Sequence, residues 1–315
     1  MSAEFRARSL RLNRRDRRRN VSVDRDLPSA AGEQGVAGVD GGGPTGGQGV
    51  KREYHRVEIP STYPLEPTTD APYAYLQNIK TQLTMIRDYA TRSLFLMRGD
   101  RRALLIGTGA GTPGLADYVR RLLRGTGLPL DVLLTSDDPD QVGGLRQFAK
   151  NRVYVSADSS LSRRRHPSLV RVEAGDTIDL GRDSAHRRVR LEVHPLAGHA
   201  TEGLTLLDPV SRVLYAGDAL GTQGTAGLIL TSTLAEFSTA LTGWRAGTDR
   251  RCDTLYTAHN HQWFTRPAYA DSLAAATAAG LEEGGAYVAS PLPGHRGLSN
   301  GTGDVTAWIH VPNGG

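Results

Sequence analysis

The stretch "LLTSDDPDQVGGL", residues 133–145, decides how the rest of the chain is read. Leu133, Leu134 and Thr135 end an apolar strand, and Ser136, Asp137, Asp138, Asp140 and Gln141 then crowd hydroxyl, carboxylate and amide groups ahead of Gly143-Gly144. Polar groups delivered just past a β run project from a rigid scaffold, where binding and catalytic residues concentrate. Alternate residues of an extended segment face opposite sides, so Asp138 and Asp140 are expected to share a crevice while Asp137 turns toward solvent.

Working outward, "RSLFLMRGDRRALLIGTG" (92–109) reads as two strands joined at Gly99-Asp100, the second running into a glycine-rich loop. "TPGLADYVRRLLRG" (112–125) has Pro113 near a helix start, apolar positions at helical spacing and Gly125 as a stop. Strand "DVLLT", a short helix through "QVGGLRQFAK" and strand "RVYVS" complete an alternating β/α order. The rhythm then becomes all-β in "DTIDL", "RRVRLEVHPL", "EGLTLLDP" and "SRVLYAGD". Helices near 233–246 and 266–283 flank strand "DTLYTAH", and a last strand falls at "TAWIHV". Such a mixture suits an α+β fold of two sheets packed face to face with helices outside.

Composition divides the chain unevenly. Residues 1–51 form an Arg-rich and Gly-rich tail and linker, expected to be disordered, and residues 52–315 form the domain. Within residues 1–50, nine arginines face six carboxylates, a balance of +3 that leaves +2 of the chain's +5 for everything else. Nucleic acid is therefore an unlikely partner of the domain, with weak contact expected only through "RLNRRDRRRN". No apolar run approaches membrane-spanning length and no apolar segment follows the basic start, so a cytoplasmic location without membrane contact is expected. Cys252 is the only cysteine, which excludes an intrachain disulfide and a thiolate metal cluster, and a structural role is expected for it. "GTGAG" (107–111) has phosphate-loop spacing but lacks the rest of either nucleotide motif, so a turn is expected.

The opening cluster has counterparts at later strand ends: His199 after "LEVHPLAG", Asp218 after "VLYAG", and His259 after "LYTA", with His261 as a spare ligand. Taken singly, such residues more often cap turns or sit at core edges. In this order, "LLIGTGAG", "LLTSDDPDQVGG", "AGHATEG", "YAGDAL" and "TAHN" resemble the motifs of the metallo-β-lactamase fold superfamily over roughly residues 75–290. The resemblance implies an αββα four-layer sandwich with an active site along one sheet edge. It also implies two zinc, iron or manganese ions and hydrolysis of esters, thioesters, lactams or phosphodiesters, with redox chemistry in a few members.

The chain departs from that pattern where chemistry is decided. Ser136, Asp138 and Gln141 stand at three histidine positions of the family's His-x-His-x-Asp-His loop, and Gly107 replaces the aspartate of the strand-end turn. Asp140, His199, Asp218 and His259 are retained. Loss of imidazoles and gain of carboxylates shift metal preference away from zinc toward manganese, iron or magnesium.

Three readings stay open. In the first, Asp138, Asp140, His199, Asp218 and His259 hold one divalent ion, iron, manganese or zinc. The enzyme then acts as a hydrolase or as a lyase or cyclase on a small-molecule or carrier-bound ester, thioester or lactone-like substrate, in a biosynthetic pathway. In the second no metal binds, and Asp138, Asp140 and His199 carry out acid–base catalysis as a cyclase, dehydratase or isomerase. In the third the chain is an inert binding module. Three carboxylates facing one crevice demand a counter-charge, and a metal is the simplest source. The segment "GTQGTAGLIL" and the C-terminal residues are expected to line or cover the crevice. Oligomeric state has no signature in the sequence.

Overall fold

The computed structural model describes Tyr73–Asn78, Leu83–Asp88 and residues 92–313, apart from residues 165, 222–226, 260–267 and 303–304. The expected tail, and His261, lie outside the described residues.

The first sheet has seven strands in sequence order: β1 (Tyr73–Asn78), β2 (Leu83–Asp88), β3 (Ser93–Arg98), β4 (Ala103–Ile106), β5 (Leu130–Leu133), β6 (Arg152–Ser156) and β7 (Leu169–Val172). The second has five, β8 (Thr177–Arg182), β9 (Arg188–Pro195), β10 (Leu204–Asp208), β11 (Val213–Gly217) and β13 (Thr254–Thr257), ordered β13-β11-β10-β9-β8. A third sheet, ordered β12-β16-β15-β14, comprises β12 (Leu228–Ile229), β14 (Val288–Ala289), β15 (His295–Thr302) and β16 (Val305–Pro312). The helices are α1 (Leu115–Leu122), α2 (Pro139–Val142), α3 (Leu234–Thr248) and α4 (Ala268–Leu281), with a 3-10 turn at Leu145–Phe148.

Side-chain alternation explains the layers. In β3, Phe95 and Met97 point into the core between the sheets, while Leu94 and Leu96 point outward against Leu115 and Val119 of α1. In β11, Tyr215 meets the first sheet, and Leu214 and Ala216 meet Phe237, Leu241 and Tyr269 of the outer helices. Both faces of each central strand are thus buried, so these strands read as continuous apolar runs. Across the interface Phe95 meets Tyr215 edge-on and Tyr256 at a tilt, and the two tyrosines of the second sheet stack on each other, with centroids 5.1–5.7 Å apart. The chain is an αββα sandwich, as its strand order predicts.

Two details differ from expectation. The single short helix over 141–150 is broken in two, because Gly143 and Gly144 abut the glycine loop 107–111. A β-carbon on Gly143 would lie 2.4 Å from the Ala110 carbonyl carbon, and one on Gly144 would lie 2.3 Å from the Thr108 oxygen. The "GTGAG" turn is accordingly a packing element, tied down by Thr108 N donating to the Gln141 carbonyl (2.9 Å) and Gly144 N donating to that of Gly109 (3.3 Å). Second, the C-terminal region adds a whole sheet where one strand was expected. Cys252 packs against the outer core, and burial pushes its thiol pKa up, in keeping with a structural role. No helix among the described residues is long and apolar enough to cross a membrane.

Candidate active site

Four strand tips converge at one end of the two sheets. β5 leads through Ser136 and Asp138, the N-cap of α2, to Asp140 on α2, β9 leads to His199, β11 to Asp218 and β13 to His259. Backbone hydrogen bonds hold these tips together. Ser93 N, at the start of β3, donates to the Ala258 carbonyl (2.8 Å), and Ala258 N donates to that of Gly217 (2.9 Å). The residues next in line, His259 and Asp218, therefore share a register, and the two sheets are stitched to each other at the site. Gly217 has φ 54°, and a β-carbon there would lie 2.3 Å from Thr135 Oγ1, so only glycine lets β11 approach β5 so closely.

All five predicted side chains meet, but as two groups. His259 Nε2 lies 3.0 Å from both Asp140 Oδ2 and Asp218 Oδ1. The donor atoms of Asp140, Asp218 and His259 all fall within 4.8 Å of one another, a spacing that could hold a metal ion. Beside them, His199 Nε2 lies 3.2 Å from Asp138 Oδ2, which also accepts from Ser136 Oγ at 2.7 Å. The His199 ring is oriented by Nδ1 against the Ile229 carbonyl at 2.8 Å, so the segment after Asp218 does reach the site.

Electrostatics bind the groups into one centre. Burial pushes the His199 imidazole down, but Asp138, the Ile229 carbonyl and the charge of Asp218 carry it up to about 9. His259 likewise reaches about 9, burial being outweighed by its bonds to Asp140 and Asp218. The hydrogen bond from His199 lowers the Asp138 pKa, and that from His259 lowers the pKa of Asp140, with Arg92 assisting.

Two residues at the site have roles the sequence does not announce. Arg92 donates from Nε to Asp140 Oδ2 at 2.9 Å. It precedes β3, and in an arginine-rich chain nothing about its spacing marks it. Gln141, at the position of a family histidine, is only 2% exposed. Its amide nitrogen donates to Asp218 Oδ2 at 2.8 Å, and its oxygen lies 3.4 Å from the Thr135 hydroxyl. It is a buried brace for Asp218. It also fills the space beside Gly107, where a β-carbon would come within 2.9 Å of the amide oxygen.

Asp137 is corrected as well. It does turn away from the crevice, yet it is half-buried rather than free in solvent. It accepts from Ser159 Oγ and Ser160 N, both at 2.6 Å, and its own N–H donates to Glu202. A separate cavity of about 240 Å³ lined by Ala116, Arg120, Leu130, Phe148 and others contains none of the site residues.

Fold and site together define a metallo-β-lactamase-like architecture. The chain belongs to the metallo-beta-lactamase superfamily, which it matches over residues 91–263, more than half its length. Among solved structures, the metallo-beta-lactamase FIM-1 from Pseudomonas aeruginosa, in a mono-zinc form, is 13% identical, with a TM-score of 0.52 over 67% of this chain and 97% of that one. TMB-1 is also 13% identical, with a TM-score of 0.51 over 65% of this chain and 97% of its own. At such identities the likeness shows the fold alone. No curated protein matches the chain. Members of the superfamily are typically hydrolases with metal sites.

Proposed function

We propose that this protein is a single-metal enzyme, a hydrolase or a lyase or cyclase, acting on a small organic ester, thioester or lactone-like substrate, free or carrier-bound, in a cytoplasmic biosynthetic step. The observation that carries the proposal is the convergence of Asp140, Asp218 and His259 donor atoms within 4.8 Å. Two carboxylates and one imidazole fit iron, manganese or zinc, with the oxygen-rich set favouring the harder ions. When bound, such an ion polarises a carbonyl oxygen or lowers the pKa of a water.

The remaining work falls to the chain's own groups. Gln141 and Arg92 hold Asp218 and Asp140 in fixed orientations. His199 Nε2, steered by the Ile229 carbonyl on Nδ1, gives and takes a proton beside the reacting bond, and Asp138, oriented by Ser136, is its exchange partner. In this arrangement Asp138 and His199 serve proton transfer, while metal binding belongs to the other three.

A second reading, metal-free acid–base catalysis by a cyclase, dehydratase or isomerase, is favoured by a different observation. Each of the three carboxylates already meets a cation or hydrogen-bond donor in the form of Arg92, Gln141, His199 or His259. The demand for a counter-charge can thus be met without an ion. Elemental analysis of protein purified without added metal separates the readings. About one equivalent of iron, manganese or zinc, with turnover of an ester, thioester or lactone panel abolished by chelator, is expected. Metal-free protein whose turnover survives chelator would replace the first reading with the second, and no turnover at all would leave the inert binding module.

A further inference from the structure

Arg92 is fixed in place more firmly than a surface arginine needs to be. Its N–H donates to Asp88 Oδ1 (2.8 Å) and its carbonyl accepts from Asp88 N (3.1 Å), while Asp88 itself is fully buried. The next residue, Ser93, is bonded to Ala258, whose successor is His259. The guanidinium therefore arrives at Asp140 from a backbone that is anchored both to the sheet and to the strand carrying His259. The oxygen it contacts, Asp140 Oδ2, is the one that faces His259 Nε2.

From this geometry we infer that Arg92 is a positioning residue that substitutes for a second metal ion and limits the site to one. The inference rests on the reading that Asp140, Asp218 and His259 hold a divalent ion. Asp138 Oδ2 is already taken up by His199 Nε2 and the Ser136 hydroxyl. Of the two carboxylates in the trio, Arg92 matches one. The described trio thus sets two carboxylates against one guanidinium, a balance that favours one divalent ion over two. A guanidinium keeps its charge at every accessible pH, so this limit is permanent.

The test uses the full-length protein, stripped with chelator, as wild type, Arg92→Gln and Arg92→Lys, titrated with Mn²⁺ by calorimetry and by electron paramagnetic resonance, with Tm measured with and without Mn²⁺. Wild type is expected to take up one Mn²⁺. Arg92→Gln is expected either to bind it about tenfold more tightly or to accept a second ion, because a unit charge a few ångströms from a divalent ion is strongly felt at an effective dielectric near 20. Its metal-free Tm should fall by roughly 3 °C or more and be restored by Mn²⁺, while Arg92→Lys stays close to wild type. Any ion bound by the native state raises Tm, so the mark of a charge effect is a Mn²⁺-induced rise larger in Arg92→Gln than in wild type. Unchanged affinity and stoichiometry in Arg92→Gln, or a Tm loss that Mn²⁺ does not restore, overturns the inference while leaving the metal reading intact. No uptake by wild type, whether or not Arg92→Gln binds an ion, sinks the metal reading and the inference with it. If Arg92→Gln fails to fold, Arg92→Gln/Asp140→Asn removes both charges and must fold. Failure of that double variant also overturns the inference.

Discussion

The two halves of the strand-tip crevice are built from the same chain segments and have opposite chemical characters. On one side Asp140, Asp218 and His259 point donor atoms at a common centre, braced from behind by Arg92 and Gln141. On the other, Ser136, Asp138 and His199 form a closed hydrogen-bonded chain whose ring is locked by a backbone carbonyl. In the superfamily pattern both halves are metal positions. On the proposed reading, replacing nitrogen donors by a hydroxyl and a carboxylate turns one half into a proton-exchanging pair and leaves the other half to hold an ion. Ligand substitution at one strand end thus changes the kind of site and not merely its affinity.

The sharpest way to break this contrast is to remove one histidine from each half. His259→Ala should lose most of its bound metal along with turnover, measured by elemental analysis and substrate assay. His199→Ala should keep its metal while kcat falls by roughly 10²- to 10⁴-fold, the usual contribution of a positioned acid or base. If His199→Ala loses the metal as completely as His259→Ala, the halves are one ligand set and the division fails.

A smaller effect is expected at the glycine between them. Gly217→Ala forces a β-carbon against Thr135 at a positive φ, and about 1–3 kcal/mol of stability should be lost, read from denaturant midpoints. An unchanged midpoint would mean that β11 and β5 can separate without cost.

The pH dependence of the metal-free protein gives a further, milder test. The folded His199 and His259 pKa values, about 9, lie above the ordinary 6.5. Their contribution to stability is thus fully present below about pH 6.5 and is lost as pH rises through 9. Because a ligating imidazole must give up its proton, metal affinity should change the other way, strengthening over the same interval. A metal-free Tm that rises from pH 7 to 9 would contradict the pairing. The smallest change belongs to Ser136→Ala, which should cost about 0.5–1.5 kcal/mol and leave metal content alone.

Much of the fold was legible because the central strands are buried on both faces, so β3, β4, β5 and β11 stand out as apolar runs. Of the third sheet only β16 was legible, at "TAWIHV". β15, "HRGLSNGT", carries two glycines and an asparagine, residues that signal turns locally, and it forms a strand by pairing along its whole length with β16. The one leucine and two valines of β7, "LVRV", are too few to announce a strand without the parallel partner β6. At the site, the retained residues could be picked out by their places at strand ends. Arg92 could not, because its role depends on a fold-level approach between β3 and α2 that no local spacing encodes. Gln141 was located, but whether a buried amide accepts or donates is set by its neighbours, here Asp218 and Thr135.

The hydrogen bond from Ser93 to the Ala258 carbonyl has a consequence for how this protein comes into being. It joins the third strand of the first sheet to a strand made long afterwards, so a chain emerging from the ribosome carries Asp138 and Asp140 well before the partners that complete the centre exist. Competence to capture an ion should therefore arrive abruptly, late in synthesis, and a truncated product ending ahead of β13 should be inert toward metals however well its first sheet has formed.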